Sequence, residues 1–178
     1  MPAESHSTDL FTIPRGILTV ALWSGGTPGA YYDIGNVLNC ELELNVERAE
    51  RRSGRQPGRI VLKRRVIEKG YKLTMELDEY SQKNLVKFLM GTVASGKINA
   101  LTDIDNEYSL KLVENNDDGP NKIWEFHKGY FSPNGTIALI GEDYVPLPVM
   151  FEGLDDSDNH ATSPLFDCYY SSTTTTAA

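Results

Sequence analysis

The residue types that could do chemistry are few and scattered. The three histidines, His6, His127 and His160, fall in an N-terminal arm, a strand-like run and a polar tail. None stands at zinc-ligand spacing from another histidine or a cysteine, so no metal ligand is assigned. The chain has no G-x-S-x-G and no glycine loop that would cradle phosphate, so neither a catalytic residue nor a cofactor is assigned. A general-base role for His127 in "WEFHKG" is weaker than its reading as a half-exposed strand residue. Glu41 and Glu43 in "NCELELNVE" lie two apart on one strand and point the same way. Glycosidase carboxylates sit roughly 5–9 Å apart, but no aromatic platform shares this face. "Asn134-Gly135-Thr136" matches a glycan acceptor, yet Asn-Gly is better explained as a hairpin turn. These residues point away from an enzyme.

Charge is the stronger signal. The chain carries a formal net charge of −8. Residues 48–72 nevertheless hold ten of the 17 basic residues against only Glu50 and Glu68, a local +8. Such asymmetry points to a partner. The basic cluster, with Arg48, Arg51, Arg52, Arg55, Arg59, Arg64 and Arg65, lacks the interleaved aromatics of single-strand binders. Contact with an acidic protein surface, a merely solvated loop, and direct nucleic-acid binding are the three readings, in that order of preference.

The elements that would position these charges read as mainly β. "GILTVALWS" (16–24) is a strand, and "GGTPGA" (25–30) a loop. After a turn at Gly35-Asn36, a long strand puts Leu38, Cys40, Leu42, Leu44 and Val46 on an expected buried face and Glu41 and Glu43 on a wet one. "RAERRSGRQPGR" (48–59) reads as an exposed loop and residues 60–70 as extended. "YKLTMELD" alternates again, with Glu76 on its wet side. One helix is expected over 78–95, with Asp78 as N-cap, Leu85, Phe88 and Leu89 as its apolar stripe, and Gly91 or Gly96 at its end. Further strands are expected at 107–114, 122–131 and 136–144. The prolines of "VPLPVMFEG" (145–153) place that segment at an edge or as a cover. The last 25 residues are acidic, with an apolar anchor at Leu165-Phe166 and Tyr169-Tyr170 and a disordered Thr-rich tip.

The 178 residues suit one domain, read as an arm (1–15), a β domain (16–153) with an extended basic loop (48–65), and a partly flexible acidic segment (154–178). No run approaches the ~18 apolar residues of a membrane span, and the polar N-terminus lacks a secretory signal. A cytosolic product is expected. Cys40 and Cys168 are too few for a disulfide framework and read as reduced thiols, with Cys40 buried.

Three features, in order, resemble the tail tube (major tail) proteins of long-tailed, non-contractile bacteriophages. They are the turn and alternating strand "YYDIGNVLNCELELNVE", the basic Gly/Pro-containing "RRSGRQPGRIVLKRR", and the strand-to-helix run "YKLTMELDEYSQKNLVKFLMG". The likeness covers about residues 16–95. It implies two packed antiparallel sheets in a β-sandwich or barrel with one flanking helix. It also implies hexameric rings stacked head to tail into a tube through which genomic DNA leaves the capsid. Partners would be other copies of the chain, tape-measure, terminator and distal tail proteins, and DNA passing without specific binding, with no membrane contact. The product would be made in the host cytoplasm and reside in the virion tail. On that reading Glu41, Glu43 and Glu76 line the lumen. The basic residues of 48–65 reach an adjoining subunit, with Glu114, Asp117, Asp118, Asp155, Asp156 and Asp158 as candidate acidic counterparts. The alternative is a monomeric β-sandwich module that binds protein or carbohydrate.

Overall fold

Period-two alternation of apolar and polar residues demands a sheet with one face packed, and the strands supply it. The computed structural model describes residues 14–52, 54, 61–116 and 120–171. Its strands are β1 (Gly16–Ser24), β2 (Thr27–Pro28), β3 (Tyr32–Asp33), β4 (Val37–Arg52), β5 (Val61–Leu77), β6 (Thr92–Ala94), β7 (Lys97–Asn99), β8 (Glu107–Glu114), β9 (Lys122–Pro133), β10 (Leu147–Gly153) and β11 (Phe166–Tyr170). A single helix, α1 (Gln82–Leu89), follows β5. Nine strands form an antiparallel sheet in the order β2-β1-β8-β9-β10-β5-β4, with β3 beside β1 and β11 beside β9. β6 and β7 form a separate two-stranded sheet. The chain is thus mainly β with antiparallel sheets and one helix, as its alternation implies. The ends of the strand order do not meet, so the sheet is not a closed barrel.

Leu18 and Val20 of β1, Tyr71, Leu73, Met75 and Leu77 of β5, and Leu147, Val149 and Phe151 of β10 are buried in one core with Leu110, Phe126 and Phe131. Gly129 and Gly153 face each other across β9 and β10. A Cβ on Gly153 would run into the Tyr71 ring, and one on Gly129 into Phe151. The Tyr71 ring also packs on Phe126 and, edge-on, on Phe166 at centroid distances of 5.3 and 5.2 Å. Phe166 thereby draws β11 onto the core with Leu165, whereas Tyr169 and Tyr170, expected in the same anchor, are exposed. The arm expected at 1–15 and the Thr-rich tip fall mostly outside the described residues.

Several expectations need correction. The helix is shorter than 78–95. Its N-cap is Ser81, whose side chain accepts from the Asn84 N–H, not Asp78. It stops at Met90, which takes the left-handed conformation (φ 45°) and donates to the Lys87 carbonyl. Residues 92–99, assigned partly to the helix, form the β6–β7 hairpin instead. No strand occupies 136–144. The hairpin turn expected at Asn134-Gly135 is therefore not formed; Asn134 donates to the Pro148 carbonyl at the end of the β9–β10 ladder, and Leu139, Ile140 and Tyr144 are exposed on the long loop between the two strands. β10 lies in the middle of the sheet, not at its edge. Pro148 fits there because it lies opposite Asn134, just past the end of β9 at Pro133, so the N–H it lacks falls at the end of the β9–β10 ladder.

The helix buries a cation. Lys87 is 2% exposed, and its Nζ donates to the Tyr32 hydroxyl (2.8 Å) and the Lys83 carbonyl (2.9 Å). It lies over the Tyr32, Tyr108 and Phe131 rings. Burial, with Lys83 nearby, pushes its ammonium down to about 8. A lysine whose folded pKa is depressed binds its proton more readily in the unfolded chain, so stability rises with pH between the two values. The urea midpoint should therefore rise from pH 8 to pH 10 by the equivalent of up to about 3 kcal/mol. Lys87→Met should flatten that rise and stabilise the protein at pH 7; an unchanged profile in the variant would refute the assignment. Tyr32, pushed up to about 12 chiefly by burial, confines the test to pH 10 and below.

Candidate functional site

The most conspicuous surface is built by β4 and β5. They pair from Val37↔Leu77 to Arg52↔Val61, with register shifts at 37/39, 47/48 and 51/52. β10 pairs only with Lys72–Leu77 of β5. Beyond Lys72, residues 45–52 and 61–70 therefore form a ribbon of two strands, with no third strand among the described residues. β4 is also the last strand in the sheet order, so the edge along its 16 residues has no ladder partner among the described residues. Isolated two-stranded ribbons are marginal in water, and long unpaired edges invite pairing with another chain.

The apolar face expected to be buried is the one that needs a partner. Leu44 is 62% exposed, and Leu38, Val46, Leu62 and Val66 are exposed with it. Cys40 is likewise exposed, contrary to expectation. Of that expected face only Leu42 packs partly against the core, together with Val37 at the start of β4. The alternation was read correctly, but β4 has no layer covering its apolar side.

Residues 48–52 and 61–65 of the loop expected over 48–65 are strand, and of its centre only Gly54 is among the described residues. Arg48, Arg51 and Arg52 lie in β4, and Arg64 and Arg65 in β5. Arg55 and Arg59 lie outside the described residues. Glu50 accepts from Arg52 (3.1 Å) and pairs with Arg64 Nε (2.7 Å), which hold its carboxyl below the usual range, the Arg52 hydrogen bond most strongly. Arg48, Arg51 and Arg65 make no such pair among the described residues and are exposed.

Glu41, Glu43 and Glu76 share a face, as expected, because Asn39 pairs with Glu76, Glu41 with Thr74, and Glu43 with Lys72. That face is not uniformly acidic. The register continues from Glu43 through Lys72, Glu152 and Tyr130 to Glu107. Lys72 Nζ lies 2.7 Å from Glu152, Tyr130 donates to Glu152, and Lys128 pairs with Glu107 at 3.0 Å. The Lys72 hydrogen bond, then that of Tyr130, lowers the Glu152 carboxyl.

The candidate acidic counterparts separate. Asp155 and Asp158 are exposed. Asp117 and Asp118 lie outside the described residues. Glu114 is occupied internally, accepting from Trp124 Nε1 (2.9 Å) and the Lys122 N–H (3.2 Å). Asp156 is 4% exposed and ties the turn of its own loop, so it cannot meet another subunit.

Sequence reasoning missed one cluster. The loop between β10 and β11 leaves β9 where Leu154 donates to the Lys128 carbonyl, and returns where His127 donates to the Leu165 carbonyl. This stacks the His160 ring on that of His127, 3.6 Å between centroids and 5° from parallel. Asp167 and Asp156 flank the pair. No local spacing announces a contact between residues 33 positions apart. Elsewhere, no described helix is long and apolar enough to cross a membrane.

The Lys72 bridge gives a direct test. A carboxyl with a lowered folded pKa adds stability above its unfolded pKa and loses it as pH falls through the folded one. Lys72→Met should lower stability only slightly at pH 7, because Lys72 is half in solvent. It should also flatten the acid side of the stability profile below pH 5; retention of the wild-type acid limb would show that Glu152 does not depend on Lys72.

A model for a family described as "Protein of unknown function UCP028589" matches residues 11–104. No curated protein matches the chain.

Proposed function

We propose that this chain, which belongs to the uncharacterised family UCP028589, is a structural protein that assembles with copies of itself, most specifically a tail-tube subunit of a long-tailed phage. The observation that carries the reading is the unpaired edge of β4 together with its two-stranded extension. A ring supplies what both lack. The β4 edge of one copy pairs with the sheet of the next, and the ribbon lays Leu44, Val46, Leu62 and Val66 against an adjoining subunit. Head-to-tail contacts of this kind build open filaments. The exposed Arg48, Arg51 and Arg65 would meet acidic residues such as Asp155 and Asp158. Such charge pairs set register and on-rate more than affinity.

In a hexameric ring of this kind the wet face carrying Glu41, Glu43 and Glu76 would line the lumen. DNA affinity grows with each phosphate that a protein neutralises. A wall whose lysines are already engaged by glutamates offers few such contacts, and DNA slides. Screening over about 8 Å at physiological salt limits the effect to close approach.

Negative-stain electron microscopy of concentrated protein should show rings or tubes. A monodisperse monomer across a range of salts would instead favour a monomeric β-sandwich binding module. Asn45→Pro, which disrupts the β4 backbone in its free ribbon, and Arg51→Glu with Arg52→Glu should each stop tube growth while leaving the monomer folded. Normal tubes from both variants would sink the assignment of this surface. Glu41→Lys, Glu43→Lys and Glu76→Lys together should leave tubes intact and slow DNA ejection in phage carrying them; unchanged ejection would remove these residues from the lumen.

A further inference from the structure

We propose that His127, His160 and Asp167 form a binding site for one divalent transition-metal ion, which fastens the loop between β10 and β11 onto β9. Each residue offers one ligand atom, and these atoms all lie within 4.8 Å of one another. Tetrahedral ligands at about 2.0–2.2 Å from zinc stand roughly 3.4 Å apart; because the two rings stack in parallel, the half-exposed His160 ring must turn out of the stack for both lone pairs to meet one ion.

Two buried, unpartnered polar atoms make this more than a surface cluster. His127 is 5% exposed, and its Nε2 has no hydrogen-bond partner. Its nearest carboxylate atom, Asp167 Oδ2, is 3.4 Å away. Asp156 is also buried, and its Oδ2 is likewise unpartnered, 3.6 Å from His160 Nε2. A buried polar atom without a partner is costly. A cation between the rings and the carboxylate would satisfy the His127 nitrogen. Asp156 beside His160 is placed as the supporting carboxylate that metal-bound histidines commonly have.

The surroundings suit a metal. Burial, followed by His160, holds the His127 imidazole below its usual range, and only neutral imidazole ligates. The loop is rigid where it matters. Asp156 donates its N–H to the Pro164 carbonyl (3.0 Å), and its own carbonyl accepts from His160 (2.8 Å). Asn159 Nδ2 donates to Asp156 Oδ1 at 2.7 Å. Two imidazoles and one carboxylate, with no thiolate among them, select an ion such as Zn²⁺ over Ca²⁺ or Mg²⁺. The bound ion would cross-link β9, the loop and β11, which are also joined by backbone bonds, the Phe166 ring and the Tyr169–Glu125 hydrogen bond.

The test is calorimetric titration of the tag-free full chain, in a His6→Ala background, with Zn²⁺ alone. One ion should bind per chain. At a hundredfold excess over Kd, the melting temperature should rise by roughly 5–10 °C. His160→Ala and Asp167→Asn, both at half-exposed positions, should weaken binding at least tenfold and abolish the rise. Co²⁺ in place of Zn²⁺ should give visible d–d bands without thiolate charge transfer, which excludes Cys40 and Cys168 as ligands. No uptake at millimolar Zn²⁺, uptake unchanged in His160→Ala, or a thiolate band would each overturn the proposal.

Discussion

Backbone hydrogen bonds on one side of β5 run out at Lys72, where β10 ends. From Leu77 back to that residue β5 is a central strand, paired on both sides, with Tyr71, Leu73, Met75 and Leu77 alternating into the core. Before it, β5 has β4 alone. One strand is therefore interior in its second half and part of a free ribbon in its first. The hydrophobic alternation of β4 belongs to the same problem. Its apolar face meets a core only near Leu42, and elsewhere it meets solvent.

This division explains what the sequence made legible. β1 and β8 were read to the residue because each is short, alternating and bounded by turn residues. The core half of β5 was read because Tyr71, Leu73, Met75 and Leu77 have no competing helical period, although its partner strands were not. The failures have physical causes. Arg, Gly and Pro at 48–59 read as a loop because strand propensity is weak against such composition, yet cross-strand pairing carries β4 to Arg52. Leu139 and Ile140 read as a strand because apolar runs suggest burial, yet β9 pairs directly with β10 and leaves them on the loop between the two. Pro148 read as an edge residue, but the end of β9 creates a local edge inside the sheet.

The two candidate sites differ in how far sequence could reach them. Glu41 and Glu43 were placed on one face by period two, and Glu76 joined them only through the tail-tube resemblance. The Lys72–Glu152 pair on the same face was not legible, since it depends on which strand lies beside β5. The histidine cluster depends on a loop that departs from β9 and returns to it, so only the fold brings His160 to His127. The same loop buries Asp156, which composition alone had set among the exposed acids.

The facing glycines, Gly129 and Gly153, carry a consequence for sequence variation within the family. The space above them is filled by the Tyr71 and Phe151 rings, so ring and glycine are two halves of one volume. A relative with a small residue at position 71 is free to carry a side chain at 153, whereas one that keeps the tyrosine is not. Substitution at these positions is therefore paired, and a sheet position with no side chain of its own is specified by an aromatic residue on another strand.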